Sequence, residues 1–187
     1  MPDNSAPDEI VPDDKDWTWV LEHTCPECGF DARVVDVHHI GDSIRANAET
    51  WSELLGGDEM AVRLRPTPDR WSTLEYGAHV RDVYDLFLRR LRLMLDTDDP
   101  LFPNWDQDET AVASRYDLQD PATVAVDLRA AADVLADAFD SVHGEQWARP
   151  GRRSDGASFT VDSFARYLLH DPVHHLWDCG FAATDRA

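Results

Sequence analysis

The sequence is poor in cysteine and almost without lysine. Three cysteines in 187 residues cannot build a disulfide framework, and a chain of this length buries a core without one. Lys15 is the sole lysine, and every other strong base is an arginine. Lysine and arginine together number 17 against 37 acids, for a formal net charge of −20. Such a surface repels phosphate backbones and anionic headgroups, so neither nucleic acid nor a membrane is expected as a partner. No apolar run is long enough to span a bilayer, and the first residues carry no basic-then-apolar leader. The expected location is the cytoplasm.

What is present is a hydrophobic fraction of 43%, ordinary for a globular protein, arranged largely at helical spacing. Residues 1–16 are rich in Asp and Pro and are expected to form a disordered acidic tail. Residues 17–33 are read as an arm. Trp17 and Trp19 share a face if this piece is extended, and Cys25-Pro26-Glu27-Cys28-Gly29 has the form of one knuckle of a zinc ribbon. Three readings of the pair stay open: half of a metal site completed by His23, His38 or His39, a redox dithiol, or a turn without further chemistry.

Residues 34–187 are read as one bundle domain. Val34, Val37, Ile40, Ile44, Ala48, Trp51 and Leu55 recur with helical period up to Gly56-Gly57. A Ser72-x-x-Glu75 capping box opens a second long helix to about Leu95, with Tyr76, Val80, Val83, Phe87, Leu91 and Met94 along one stripe. A long loop with Trp105 and Asp106 follows, of a kind that often lines a site. Asp120-Pro121 starts a third helix that reaches about Val142. A turn-rich segment, 147–156, suggests a small hairpin. Thr160 caps a fourth helix that stops at Gly180. Pro172 within it predicts a kink. The fold expected is all-α, an antiparallel four-helix bundle with an N-terminal arm.

The chemistry concentrates in His170-Asp171-Pro172-Val173-His174-His175. His170 and His174 lie one turn apart on one helix face, a spacing that lets two imidazoles reach one ion. His79 lies beside the apolar stripe of the second long helix. One histidine from one helix and a pair from another would make a three-nitrogen site with open positions, the requirement for a reactive centre. A fourth protein ligand such as His175 or a cysteine would close it. Asp82, Asp106, Asp171 and Asp178 are candidates for orienting the histidines. His38, His39 and His143 read as surface groups.

A histidine on the second long helix, Trp147-x-Arg149-x-Gly151 before the fourth, and the H-D-x-x-H-H of the fourth resemble the DinB-like superfamily. The resemblance covers roughly residues 34–180 and leaves out the CPECG arm. That superfamily includes bacillithiol-using transferases and the metal domain of mycothiol-dependent maleylpyruvate isomerase. The resemblance implies a four-helix bundle and a divalent metal, zinc or nickel, held by His79, His170 and His174. It implies a transferase acting on a low-molecular-weight thiol such as mycothiol and a small electrophile, with a homodimer among the assemblies it allows. The alternative is a non-catalytic metal-binding protein of stress response or protein interaction.

Overall fold

The computed structural model describes Ile10 and residues 15–181; most of the acidic tail expected at 1–16 lies outside the described residues. Four long helices build the body: α1 (Ile40–Leu55), α3 (Thr73–Asp96), α5 (Pro121–Asp140) and α6 (Val161–Asp178). Two short helices interrupt the connections, α2 (Glu59–Arg63) and α4 (Gln107–Ala113). Helix α5 packs along both α1 and α3, and α6 packs against α1 and α3. The bundle core is filled by Ile44, Trp51, Leu74, Tyr84, Leu91, Leu128, Leu135, Phe139, Phe164 and Leu168. Each of the larger of these side chains contributes about 2–3 kcal/mol by leaving water.

The helix starts follow from local chemistry. Ser72 accepts from the Glu75 amide at 3.3 Å while Glu75 accepts from the Ser72 amide at 2.8 Å, so two otherwise orphaned donors are satisfied. Asp120 accepts from the Thr123 amide at 2.8 Å ahead of Pro121. Thr160 accepts from the Ser163 amide at 3.2 Å. The last helix runs from Val161 to Asp178 with Pro172 inside it. The indole N–H of Trp51 donates to the Pro172 carbonyl at 3.2 Å and ties α6 to α1 at that level.

The expected hairpin is present as β2 (Pro150–Arg153) and β3 (Ser158–Thr160), paired antiparallel, with β1 (Leu101–Phe102) added parallel to β2. The W-x-R-x-G segment has a packing explanation. Arg149 donates to the carbonyls of Met94 at 2.6 Å and Thr97 at 2.8 Å, capping the end of α3. A Cβ on Gly151 would lie 2.7 Å from Met94 Cγ, so only glycine lets β2 approach that helix. The long loop expected over 98–120 carries more structure than its composition suggested: β1, α4 and a 3-10 turn at Tyr116–Leu118.

The arm is not extended. Trp17–Leu21 forms a 3-10 helix capped by Asp16, and Trp17 and Trp19 stack with ring centroids 5.8 Å apart. The arm folds back on α6, where Arg166 donates to the carbonyls of Ala32 at 2.8 Å and Val35 at 2.6 Å. That fold-back brings CPECG to the C-terminal half of α6.

Candidate functional site

Among the described residues, the donors fall into two groups that could hold a metal ion. His79, Asp171 and His175 form one, and Cys25, Cys28, His170 and His174 form the other; within each group the ligand atoms lie within 4.8 Å of one another. The three histidines expected to share one ion are thus divided: His79 stands in the first group, His170 and His174 in the second. The physical reason is helix geometry. A step of one residue turns a side chain by about 100°, so 170/174 and 171/175 are two i, i+4 pairs on neighbouring faces of α6. The face toward α3 and His79 is that of Asp171 and His175. His170 and His174 look toward the arm.

In the first group His79 is fully buried on α3. Its ring is stacked on Trp105 at 5.4 Å and tilted against Trp71 at 5.3 Å. His79 Nε2 lies 3.3 Å from Asp171 Oδ1, and His175 Nε2 lies 3.9 Å from the same oxygen. Bonds of about 2.1 Å to nitrogen and oxygen would set neighbouring donors roughly 3.0–3.4 Å apart, close to this arrangement. Both ring nitrogens of His79 and Oδ1 of Asp171 are buried without a hydrogen-bond partner. Orphaned buried polar atoms cost about 1–3 kcal/mol each, so this cluster fits a cation. Burial would raise the Asp171 carboxyl, but His79 and His175 beside it hold it well below the usual carboxylate range. It is therefore available as an anionic donor.

His175 is aimed by Asp178. The two meet at 2.9 Å through Nδ1, leaving Nε2 toward Asp171, the arrangement by which a carboxylate orients a metal-binding imidazole. Tyr76 stacks on the other side of the His175 ring at 4.7 Å. Arg70 donates to Asp178 and holds it in turn. Of the other acids considered, Asp82 accepts from Tyr116 and Arg81, and Asp106 caps α4. Asp171 and His175, together with His170 and His174, open on a cavity of about 860 Å³ that is also lined by Trp17, Arg90, Trp105, Arg153 and Tyr167.

In the second group all four residues are buried. Burial, then the neighbouring His174, pushes His170 down to about 4, and burial lowers His174 as well, against the pull of Asp178 and Glu27. Both imidazoles are therefore neutral near pH 7, the form that ligates. Burial pushes the Cys28 thiol up to about 12. His23, His38 and His39, the partners considered for the cysteines, are exposed and belong to neither group; His143 is exposed too.

From the sequence Asp171 was a candidate to orient the histidines and His175 a possible fourth ligand; the structure groups both with His79, a grouping for which their own i, i+4 spacing was the available signal. The sequence reading missed the union of Cys25 and Cys28 with His170 and His174, for which no local signal exists.

The fold and the helix that carries both groups define a class. The DinB superfamily model matches residues 37–179, and the chain belongs to that superfamily. Among solved structures it is similar to YfiT from Bacillus subtilis, described as a probable metal-dependent hydrolase with an unusual four-helix bundle topology. The two share 14% identity and a TM-score of 0.66, over 77% of this chain and 82% of that one. At that identity the likeness is one of fold. A search of curated proteins gave no match. No helix among the described residues is long and apolar enough to cross a membrane.

Proposed function

We propose that this chain is a metal-dependent enzyme that uses His79, Asp171 and His175 to hold a divalent ion and transfers a low-molecular-weight thiol to a small electrophile. The observation that carries this reading is the buried set of His79 nitrogens and Asp171 Oδ1, which meet at 3.3 Å without a hydrogen bond, with Asp171 and His175 on the wall of a large cavity. Three protein donors leave positions open, as a reactive centre requires. A divalent ion bound there supplies positive charge that lowers the pKa of a thiol or a water brought to it.

The chain's own residues do the rest. Asp178 and Arg70 fix the His175 ring, and Trp105 stacked on His79 and Trp71 tilted against it help keep that ring from solvent. A cavity of about 860 Å³ has room for a nucleophile much larger than water together with a second substrate. Its wall carries charges of both signs, among them Asp106, Arg90 and Arg153, which suits a polar thiol better than a lipid.

A second reading, hydrolysis with water as the nucleophile, is favoured by the description of YfiT. The test is turnover by metal-loaded protein offered mycothiol, bacillithiol or glutathione with a model electrophile, beside ester and amide substrates without thiol. Metal-dependent consumption of one thiol supports transfer. Ester or amide cleavage without thiol replaces it with hydrolysis. No turnover in either arm, with the ion bound, removes the enzymatic reading and leaves a metal-binding protein.

A further inference from the structure

We propose that Cys25, Cys28, His170 and His174 form a second and closed metal site, taking one zinc ion that staples the N-terminal arm to α6. Three independent observations converge on it.

The first is donor geometry. Cys25 Sγ lies 3.7 Å from His174 Nδ1, and all four ligand atoms lie within 4.8 Å of one another. Zinc with bonds of about 2.3 Å to sulfur and about 2.0 Å to nitrogen separates its tetrahedral donors by roughly 3.3–3.8 Å, so only small side-chain adjustments close the site. Two thiolates and two imidazoles are a soft, complete tetrahedral set that suits zinc over harder ions.

The second is the turn that presents the cysteines. The Gly29 amide donates to the Cys25 carbonyl at 2.9 Å and the Cys25 amide to the Phe30 carbonyl at 2.8 Å. Gly29 has φ +76° with nothing within 4 Å of an added Cβ; glycine stands there for its backbone conformation, not for space. The result is a tight knuckle with both sulfurs turned inward, each cysteine being buried and unpaired as a disulfide.

The third is the state of the histidines. His170 Nε2 is buried with no hydrogen-bond partner. His174 turns Nδ1 to the sulfur, while its Nε2 lies 3.5 Å from Glu27 and 3.8 Å from Asp178. A carboxylate behind a ligating imidazole is the usual support of such a site. Trp17 and Phe30 pack over the His170 ring with centroids at 5.2 and 5.6 Å, roofing the four donors with aromatic surface.

Ion binding here displaces the two thiol protons to solvent and changes no oxidation state. Four protein donors leave no open position, so the site is structural. Its consequence reaches the cavity, since Lys15, Asp16, Trp17 and Thr18 line it and all precede the knuckle on the stapled arm.

The test uses the full chain with cobalt(II) in place of zinc. The site predicts a thiolate-to-cobalt charge-transfer band, absent in the double variant Cys25→Ser/Cys28→Ser and retained in His79→Ala. In case the double variant does not fold, zinc-loaded Cys179→Ser protein, which keeps only the two thiols of the site, is titrated with a mercurial reagent. One zinc should be released for two thiols consumed. Absence of the band in wild type, or thiol consumption without zinc release, overturns the proposal. Because these ligands are not those of the proposed catalytic ion, the two readings fail separately: loss of turnover in His79→Ala says nothing about the band.

Discussion

The two i, i+4 pairs on α6 differ by one residue and by almost everything that matters chemically. His170 and His174 face an arm that supplies two thiols and an aromatic roof, so their set of donors is complete. Asp171 and His175 face α3, which supplies only His79, and the cavity that reaches all four α6 residues meets a three-donor set here. One helix thus carries a filled, soft donor set and an unfilled, harder one on neighbouring faces. The comparison teaches that spacing sets which side chains share a face, while the element across from that face decides what the face does.

Asp178 joins the two. It accepts from His175 at 2.9 Å and lies 3.8 Å from His174 Nε2, so one carboxylate backs an imidazole in each group.

The sharpest way to break the comparison is at its unfilled half. His79→Ala and His175→Ala each remove one of three donors. We expect the pocket ion to bind at least about 100-fold more weakly, beyond the effect of losing an orienting partner, with turnover lost in parallel. Isothermal titration after chelation checks this. His143→Ala, an exposed control, should leave that affinity unchanged.

A smaller effect is expected from Asp178→Asn, which keeps the shape and removes the charge behind both imidazoles. Metal affinity should fall about 10–100-fold at His79–Asp171–His175, and to a lesser degree at the cysteine site, where Glu27 also backs His174. Competition against a chromogenic chelator separates the two. A loss confined to the cysteine site would show that His175 does not depend on Asp178.

The smallest effect concerns the metal-free protein. His170 is depressed from 6.5 to about 4, burial being the main cause. Between these values the unfolded chain binds the proton and the folded chain does not, so stability rises with pH across that window. The contribution is fully present above pH 6.5 and is lost as pH falls toward 4, a change on the order of 3 kcal/mol. Urea melts of chelated protein at a series of pH values should show this decline. Replacing His170 by Gln should flatten it.

Much of the bundle was legible in the sequence. The caps at Ser72, Asp120 and Thr160 mark the starts of α3, α5 and α6, because they are local signals that local hydrogen bonds enforce. The hairpin after Trp147 was legible for the same reason. His79 and H-D-P-V-H-H stand out in the sequence as candidate ligands, and the structure places them in the two groups of donors. Their pairing was not legible, since two equally spaced pairs overlap in six residues and only the rotation of α6 in the bundle distinguishes them. The cysteine site was still less accessible: Cys25 and His174 are 149 residues apart, and the arm's return depends on contacts such as Arg166 with Ala32 and Val35. Pro172 lies inside α6 without ending it, and the bond its carbonyl accepts from Trp51 is a tertiary contact that no local signal announces.

The most direct test of the division into two sites is a metal count by native mass spectrometry on zinc-reconstituted protein. Wild type should carry two ions. Cys25→Ser/Cys28→Ser should keep one, bound by His79, Asp171 and His175, and His79→Ala/His175→Ala should keep the other. A single ion in wild type, lost alike from His79→Ala and from His170→Ala, would contradict the account and return His79, His170 and His174 to one shared centre.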